Sequence, residues 1–284
     1  MKKQTKKDYQ ITTFAKYGIE YDYSANKILA PWGNWIPLLI PTNTNSKVGN
    51  AGTWSIRHGN ETFNAFEMHE TIKKLFETVG IESITGSCPY HCKGCYCDFG
   101  RYNFKDNQYS LFLKLIVARF YSDFMVRAIC AQIKAFNITQ IRIHAAGDFF
   151  SAEYVDAWIT IAENNPDVIF WTYTKFEYAL KRFESVKNVF ITPSLTPFGF
   201  NFGKCKYILE TREKLLAMGK RVHVCACGTE YQKHCSDCSH GCKSIGIDTD
   251  YVLFIEHSTG YKAGKKDRDD YNALIAIIAA QNNN

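Results

Sequence analysis

A chain of 284 residues with 46% hydrophobic and 15% aromatic side chains can bury a substantial core, which excludes intrinsic disorder. No run of 18 apolar residues occurs, so no transmembrane helix is expected, and the basic start MKKQTKKDYQ lacks the apolar stretch a secretory signal needs. The net charge of +6 owes much to four lysines in the first seven residues, read here as a solvated tail; no basic stripe with interleaved aromatics follows, which leaves nucleic acid a weakly supported partner.

In chain order, residues 1–80 form an irregular N-terminal extension packing on the core. ILAPWGNWIPLLIPT, punctuated by Pro and Gly, predicts short strands and turns, and 65–79 predicts a helix. From residue 81 the pattern becomes regular. IESITGS predicts a strand running into Cys88. Helices are predicted at 108–120 and 123–136, with Ser122 or Asp123 as cap. ITQIRIHAAGD alternates as a strand does and precedes a helix at 152–164. DVIFWTYTK, a helix at 176–186, NVFITPS, a helix at 205–219, KRVHVCAC, DYVLFIEH and a last helix at 269–281 complete the series. Six strands alternating with helices, the fifth helix replaced by a cysteine-rich insert at 225–242, predict an α/β core over 81–284 built on a parallel sheet, open or closed. Working residues then belong at the carboxyl ends of the strands. Those ends carry Cys88, Gly147-Asp148, Thr174-Lys175, Pro193-Ser194, Cys225 and His257.

Cysteine usage sharpens this. Of eleven cysteines, four fall in 88–97 and five in 225–242. A long chain without a signal and with clustered cysteines predicts a cytoplasmic metal-binding protein rather than a disulfide framework. Isolated Cys130 shares helical spacing with Val126, Ile129 and Ile133 and reads as a core residue.

In SITGSCPYHCKGCYCDFG, Cys88-x3-Cys92-x2-Cys95 places three thiolates on one loop after a strand. Such a loop can ligate three irons of a four-iron four-sulfur cluster and leave the fourth open. The alternative is a zinc site completed by Cys97 or His91. Cys235-x2-Cys238-x3-Cys242, with Cys225 or Cys227, supplies a second set of donors for an auxiliary iron–sulfur cluster or zinc, with His234, His240 and His257 in reserve.

The first loop resembles the radical S-adenosylmethionine superfamily, whose motif is C-x3-C-x2-C after the first strand of a partial (β/α)6 barrel. Gly94-Cys95-Tyr96 matches the anaerobic ribonucleotide reductase activases. The resemblance implies a TIM-like barrel, a four-iron four-sulfur cluster, S-adenosylmethionine as cofactor and radical chemistry on an unknown substrate. Ala146-Gly147-Asp148 stands where that superfamily has Gly-Gly-Glu or Gly-Gly-Asp against the methionyl amine. By strand alternation, Arg142, His144 and Ala146 share the inward face of strand two, opposite Ile141, Ile143 and Ala145. On strand five, His223, Cys225 and Cys227 oppose Val222, Val224 and Ala226. Arg142 and His144, with Ser194 at the end of strand four, therefore join Ala146, Gly147 and Asp148 as expected cofactor-binding residues. Over nearly its whole length, through TGSCPYHCKGCY, VRAICAQIKAFNITQIRIHAAGDFFSAEYVDAWI and CSDCSHGC, the chain also resembles the phage gene product eighty-eight family. That resemblance implies a phage or mobile-element origin, and with it a second reading: a non-catalytic metal-binding module that contacts nucleic acid or a host protein.

Overall fold

The structure is a computed structural model and describes residues 20–22, 27–29, 35–36, 38–40, 49–90, 92, 95–98, 100–194, 202–226, 234–238, 241–245, 247–255 and 268–282. Three short strands, β1 (Glu20–Asp22), β2 (Lys27–Leu29) and β3 (Trp35–Ile36), pair antiparallel in sequence order. Next come β4 (Gly52–Thr53) and β5 (Thr62–Asn64), then helix α1 (Glu70–Val79) and β6 (Ser83–Thr85). Helix α1 buries Ile72, Leu75 and Phe76, an i, i+3, i+4 stripe, and stops at Gly80.

Helices α2 (Lys105–Phe120) and α3 (Ser122–Phe136) follow back to back. The expected Ser122 or Asp123 cap is absent: Tyr121 precedes the helix and makes no side-chain capping bond. Strand β7 (Gln140–Arg142) leads to α4 (Ala152–Glu163), whose Ser151 cap accepts a hydrogen bond from the Tyr154 amide at 3.2 Å. The chain continues through β8 (Ile169–Thr174), α5 (Glu177–Phe183), β9 (Val189–Pro193), β10 (Phe202–Gly203), α6 (Cys205–Ala217), β11 (Val222–Val224), β12 (Tyr251–Ile255) and α7 (Arg268–Asn282).

From β4 onward, all strands except the antiparallel pair β5-β6 fall in two parallel sheets, β4-β7-β8-β9 and β10-β12-β11. Alternation sorts the side chains of the first. Phe170, Val189, Ile141 and Ile143 join the main core with Met125, Ile129, Val155, Trp158 and Phe183 of the helices. Trp171, Tyr173 and Phe190 turn to the opposite face, where they meet Ala51, Cys235 and Cys242. In the second sheet Val224, Ala226, Leu253 and Ile255 pack on Ile208 and Leu215 of α6 and on Leu274 and Ile278 of α7. Each fully buried side chain of this size contributes about 1.5–3 kcal/mol of transfer free energy, so these faces fix the orientation of every strand.

One element departs from the sequence reading. IESITGS is a strand, but Ser83–Thr85 pairs antiparallel with Thr62–Asn64. The parallel sheet instead begins at Gly52–Thr53, ahead of residue 81. Its extended course continues beyond Thr53: the Trp54 amide donates to the Arg142 carbonyl at 3.1 Å, and the Ile56 amide to the Ala146 carbonyl at 3.1 Å. Trp54 and Ile56, both wholly buried, alternate with Thr53 and Ser55. That two-residue period was present in the sequence, but Gly52 and the preceding polar stretch masked it.

Candidate metal centre at the strand ends

The first cysteine loop is laid against the segment that leaves β4. The Ser87 amide donates to the Arg57 carbonyl at 3.0 Å, and the Cys88 amide to the Gly59 carbonyl at 2.8 Å. Further along, the Cys95 amide donates to the Cys92 carbonyl at 3.1 Å, and the Asp98 amide to the Cys95 carbonyl at 3.0 Å. Buried His58 clasps this turn through Nε2, 2.9 Å from Asp98 Oδ1. Burial, then the neighbouring Arg57, lowers the His58 pKa, while the hydrogen bond to Asp98 opposes them. Tyr102 fastens the end of the loop by donating to the Ala145 carbonyl at 3.1 Å.

The three motif thiols sense one another. Burial, then Asp148, raises Cys88, with Cys95 and Cys92 adding to the effect. Burial raises Cys92 while Lys175 opposes it. Cys95 moves the other way, to about 7, chiefly because its thiolate accepts a hydrogen bond from Cys97. Lys175 also favours the Cys95 thiolate. The loop therefore lies over the carboxyl ends of β7 and β8, where Asp148 and Lys175 stand.

Asp148 is buried, and burial pushes its pKa up to about 6. Its Oδ1 accepts from the Phe149 amide at 2.7 Å and from Thr174 Oγ1 at 2.5 Å, and its Oδ2 accepts from the Lys175 amide at 2.9 Å. Three of a carboxylate's roughly four lone-pair directions are thus engaged within the protein. Gly147 precedes it with φ +90°, and a Cβ there would stand 2.6 Å from Ile56 Cγ1 and 2.9 Å from the Ile56 carbonyl oxygen. Only glycine fits that contact. Ser87 Oγ joins strand end and cysteine loop, accepting from the Asp148 amide at 3.1 Å and donating to the Arg57 carbonyl at 2.7 Å.

The second cysteine group covers the face of the sheet opposite the helices. Tyr173 Oη lies 2.6 Å from Cys242 Sγ. Burial pushes the Cys242 thiol up to about 12, against the hydrogen bond from Tyr173. Cys235 and Cys238 raise it further, and Arg142 opposes them. The Arg142 guanidinium sits 5.5 Å from the Tyr173 ring centre. Lys243 Nζ donates to Gln140 Oε1 at 2.7 Å and to the Ser236 carbonyl at 3.1 Å, while Gln140 Nε2 donates to that same carbonyl at 3.2 Å. The Asn50 amide adds a bond to Ser236 Oγ at 3.0 Å. Cys225, at the end of β11, is bonded through its amide to the Leu253 carbonyl at 2.7 Å. Its charge also bears on Tyr173, so it belongs to this group. Cys227, His91, His240 and His257 lie outside the described residues. Among the described residues, no three His, Cys, Asp or Glu side chains gather tightly enough to hold a single metal ion.

A family model described as Gene product 88 matches residues 51–240, two thirds of the chain. The chain belongs to the gene product 88 family. The Gene 88 protein of Mycobacterium phage L5 is similar to it, 43% identical over 67 residues, a stretch covering 24% of this chain and 25% of that protein. No solved structure matches. The matched region of the family begins at the strand that opens the parallel sheet and takes in both cysteine segments as far as residue 240.

Within this family member the sequence-derived site residues divide. Cys88, Cys92, Cys95, Ala146, Gly147 and Asp148 share one neighbourhood, with Ala146 packed against Cys95, Cys97 and Tyr102. Ser194 lies at the adjoining strand end, its amide donating to the Thr174 carbonyl at 2.8 Å. Arg142 lies on the sheet face opposite the helices, over Tyr173 and toward the second cysteine group. His144 departs from its expected face. Its φ of +59° breaks the strand alternation, and the ring turns under α4 against Phe149 and Tyr154. There Nε2 is 2.8 Å from Tyr154 Oη, which also accepts from Trp54 Nε1 at 2.9 Å. Tyr154 therefore donates to His144, and burial lowers the histidine's pKa to about 3. His144 is a neutral core group behind the site. Sequence reasoning missed His58, Asp98, Ser87 and Tyr173, and noticed Thr174 only as part of a strand end. A buried histidine forty residues from its aspartate carries no local signal, and Tyr173 looked like an ordinary strand aromatic. Lys175 was noticed only as part of a strand end. Among the described residues, no helix is long and apolar enough to cross a membrane.

Proposed function

We propose that this protein is an iron–sulfur enzyme of the radical S-adenosylmethionine type, its partial (β/α)6 barrel carrying a four-iron four-sulfur cluster on Cys88, Cys92 and Cys95. One observation supports this reading: Ser87, the residue before the first motif cysteine, accepts the Asp148 amide at 3.1 Å, and Cys95 and Cys97 pack with Ala146, so the cysteine loop is tied to the carboxyl end of β7 beside a buried carboxylate. A single zinc needs its sulfurs about 2.3 Å from one ion, whereas each thiolate on a cubane binds a different iron and stands farther from its neighbours. When bound, such a cluster supplies one electron for reductive cleavage of S-adenosylmethionine.

The chain's own residues hold and shield that site. His58 and Tyr102 fix the loop, and Gly147 lets the backbone come close. Asp148 has one lone-pair direction left on Oδ2 for a cofactor ammonium group, and Lys175 favours the thiolate form of the nearby cysteines. Cys235, Cys238 and Cys242, with Cys225 or Cys227, hold the auxiliary cluster or zinc.

A second reading is a phage metal-binding module without catalysis. It is favoured by the same Asp148, whose carboxylate is largely engaged in stapling β7 to β8. S-adenosylmethionine binding by calorimetry, and its cleavage under dithionite, separate the two. The enzyme reading expects both in the anaerobic protein, with binding weakened at least tenfold in Asp148→Ala and unchanged in His144→Asn. Iron-loaded protein that neither binds nor cleaves the compound favours the module.

A further inference from the structure

The first cysteine loop carries a fourth thiol that the proposed ligand set does not use. Cys97 stands two residues after Cys95, is 2% exposed and packs with Leu111, Ala146 and Tyr102. Cys95 belongs to the same small cluster but is only half-buried. Both the thiol and the backbone amide of Cys97 donate hydrogen bonds to the Cys95 sulfur, so the two sulfurs lie within hydrogen-bonding reach. Cys88 and Cys92 interact with Cys95 through charge, without a side-chain hydrogen bond to it.

The backbone keeps Cys97 in this place. Tyr96–Asp98 is one 3₁₀ turn, closed by the Asp98 amide on the Cys95 carbonyl at 3.0 Å. His58 Nε2 lies 2.9 Å from Asp98 Oδ1, and Asn103 Nδ2 donates to the Asp98 carbonyl at 2.5 Å. Such a turn sets residues two apart about 5–6 Å from Cα to Cα, inside the span of roughly 4.4–6.8 Å that a disulfide bridges.

We propose that Cys95 and Cys97 are a peroxide-responsive pair, Cys95 the sulfur that is oxidised and Cys97 the sulfur that resolves it. Exposure sets the order, since hydrogen peroxide reaches half-buried Cys95 and not buried Cys97. The Cys95 thiolate attacks one peroxide oxygen, the O–O bond breaks, hydroxide leaves and a sulfenic acid remains. The Cys97 sulfur then attacks the Cys95 sulfur. The S–S bond forms, the S–O bond breaks, and the hydroxyl leaves as water with the Cys97 proton. The two thiols lose two electrons, and the peroxide takes them up. The disulfide withdraws Cys95 from the ligands of the first motif; that consequence rests on the cluster reading, whereas the disulfide itself does not.

The test is treatment of the reduced, metal-free full chain with stoichiometric hydrogen peroxide, then alkylation, trypsin and peptide mass mapping. Trypsin cuts after Lys93 and Arg101, so residues 94–101 carry these two cysteines and no other. That peptide should emerge unalkylated and lighter by two hydrogens, oxidised at least tenfold faster than any other cysteine peptide. This first measurement needs no substitution, so it holds whatever the folding of the variants. In Cys97→Ser, dimedone should trap a sulfenic acid on Cys95 at least tenfold more than in wild type, and in Cys95→Ser the Cys97 thiol should stay reduced. A bridge from Cys95 to Cys92 or Cys88, or full alkylation of Cys97 while Cys95 is oxidised, would overturn the proposal. So would equal dimedone labelling of Cys95 in wild type and Cys97→Ser. Reduced protein that takes up no iron, while the Cys95–Cys97 disulfide still forms, would support the pair and count against the cluster reading alone.

Discussion

The two cysteine segments lie on the same sheet and are built differently. The first is a rim. It sits at strand ends, clasped by His58–Asp98 and Tyr102, and its thiols are tuned in opposite directions by Asp148, Lys175 and Cys97. The second is a plug. It is pinned to the amino end of β7 through Lys243, Gln140 and Ser236, and its Cys242 thiol is enclosed against Tyr173 and Trp171. A rim with split thiol environments suits exchange of ligands and electrons; a plug under apolar rings suits stability. Arg142, over Tyr173, lies on the plug side, so the difference is one of role and not merely of position.

The sharpest way to break this comparison is at the backbone. Gly147→Ala forces a side chain into positive φ against the Ile56 backbone, so at least about 3 kcal/mol of stability should be lost in chemical denaturation. In the plug, Gly241→Ala also enters positive φ, at +63°, but its nearest contact is the His223 side chain, 2.6 Å away, and not backbone. It should cost roughly half as much. Equal costs would mean that the two regions are equally rigid.

Thiol reactivity sharpens the contrast next. In metal-free, reduced protein at pH 7, Cys95 is near half thiolate, while Cys242, pushed up to about 12, is almost wholly protonated. Alkylation followed by mass spectrometry should label Cys95 at least a hundredfold faster, about 2.7 kcal/mol in rate terms. Comparable rates would remove the distinction between rim and plug.

The smallest effect concerns the support behind the rim. His144 has its pKa lowered to about 3 from 6.5, so below pH 6.5 the unfolded chain takes up the proton that the folded chain refuses. Stability is therefore lost as pH falls from 6.5 toward 3. By pH 5 the wild type should have lost about 2 kcal/mol relative to its own value at neutral pH through this residue. His144→Asn tolerates positive φ and does not titrate, so its profile should lack that component. Parallel profiles for the two proteins would show that His144 is not a buried neutral group.

Much of this architecture was legible in the sequence because its signals are local. Strands β7, β8, β9, β11 and β12 and all seven helices coincide with apolar periodicity, and the face assignment of Val224 and Ala226 followed from alternation alone. What escaped was non-local. The antiparallel partner of Ser83–Thr85 and the parallel partner of Arg142 are both supplied by residues 52–64, whose short strands carry little periodicity. His144 escaped because one residue at φ +59° reverses a face that simple alternation assigns. Among the candidate site residues, the cysteines announced themselves by spacing, and Gly147-Asp148 by its strand end. The clasp His58–Asp98 and the Tyr173–Cys242 contact needed the fold.

The central claim is that Cys88, Cys92 and Cys95 carry a redox-active iron–sulfur cluster. Its most direct test is iron and sulfide analysis with electron paramagnetic resonance on protein purified anaerobically from iron-supplied cells, comparing wild type with the Cys88→Ala/Cys92→Ala/Cys95→Ala variant. The account predicts about four irons and four sulfides more in the wild type than in the variant, and a dithionite-induced cluster signal missing from the variant. Stoichiometric zinc without iron in the wild type, or equal iron and the same signal in both proteins, would contradict it.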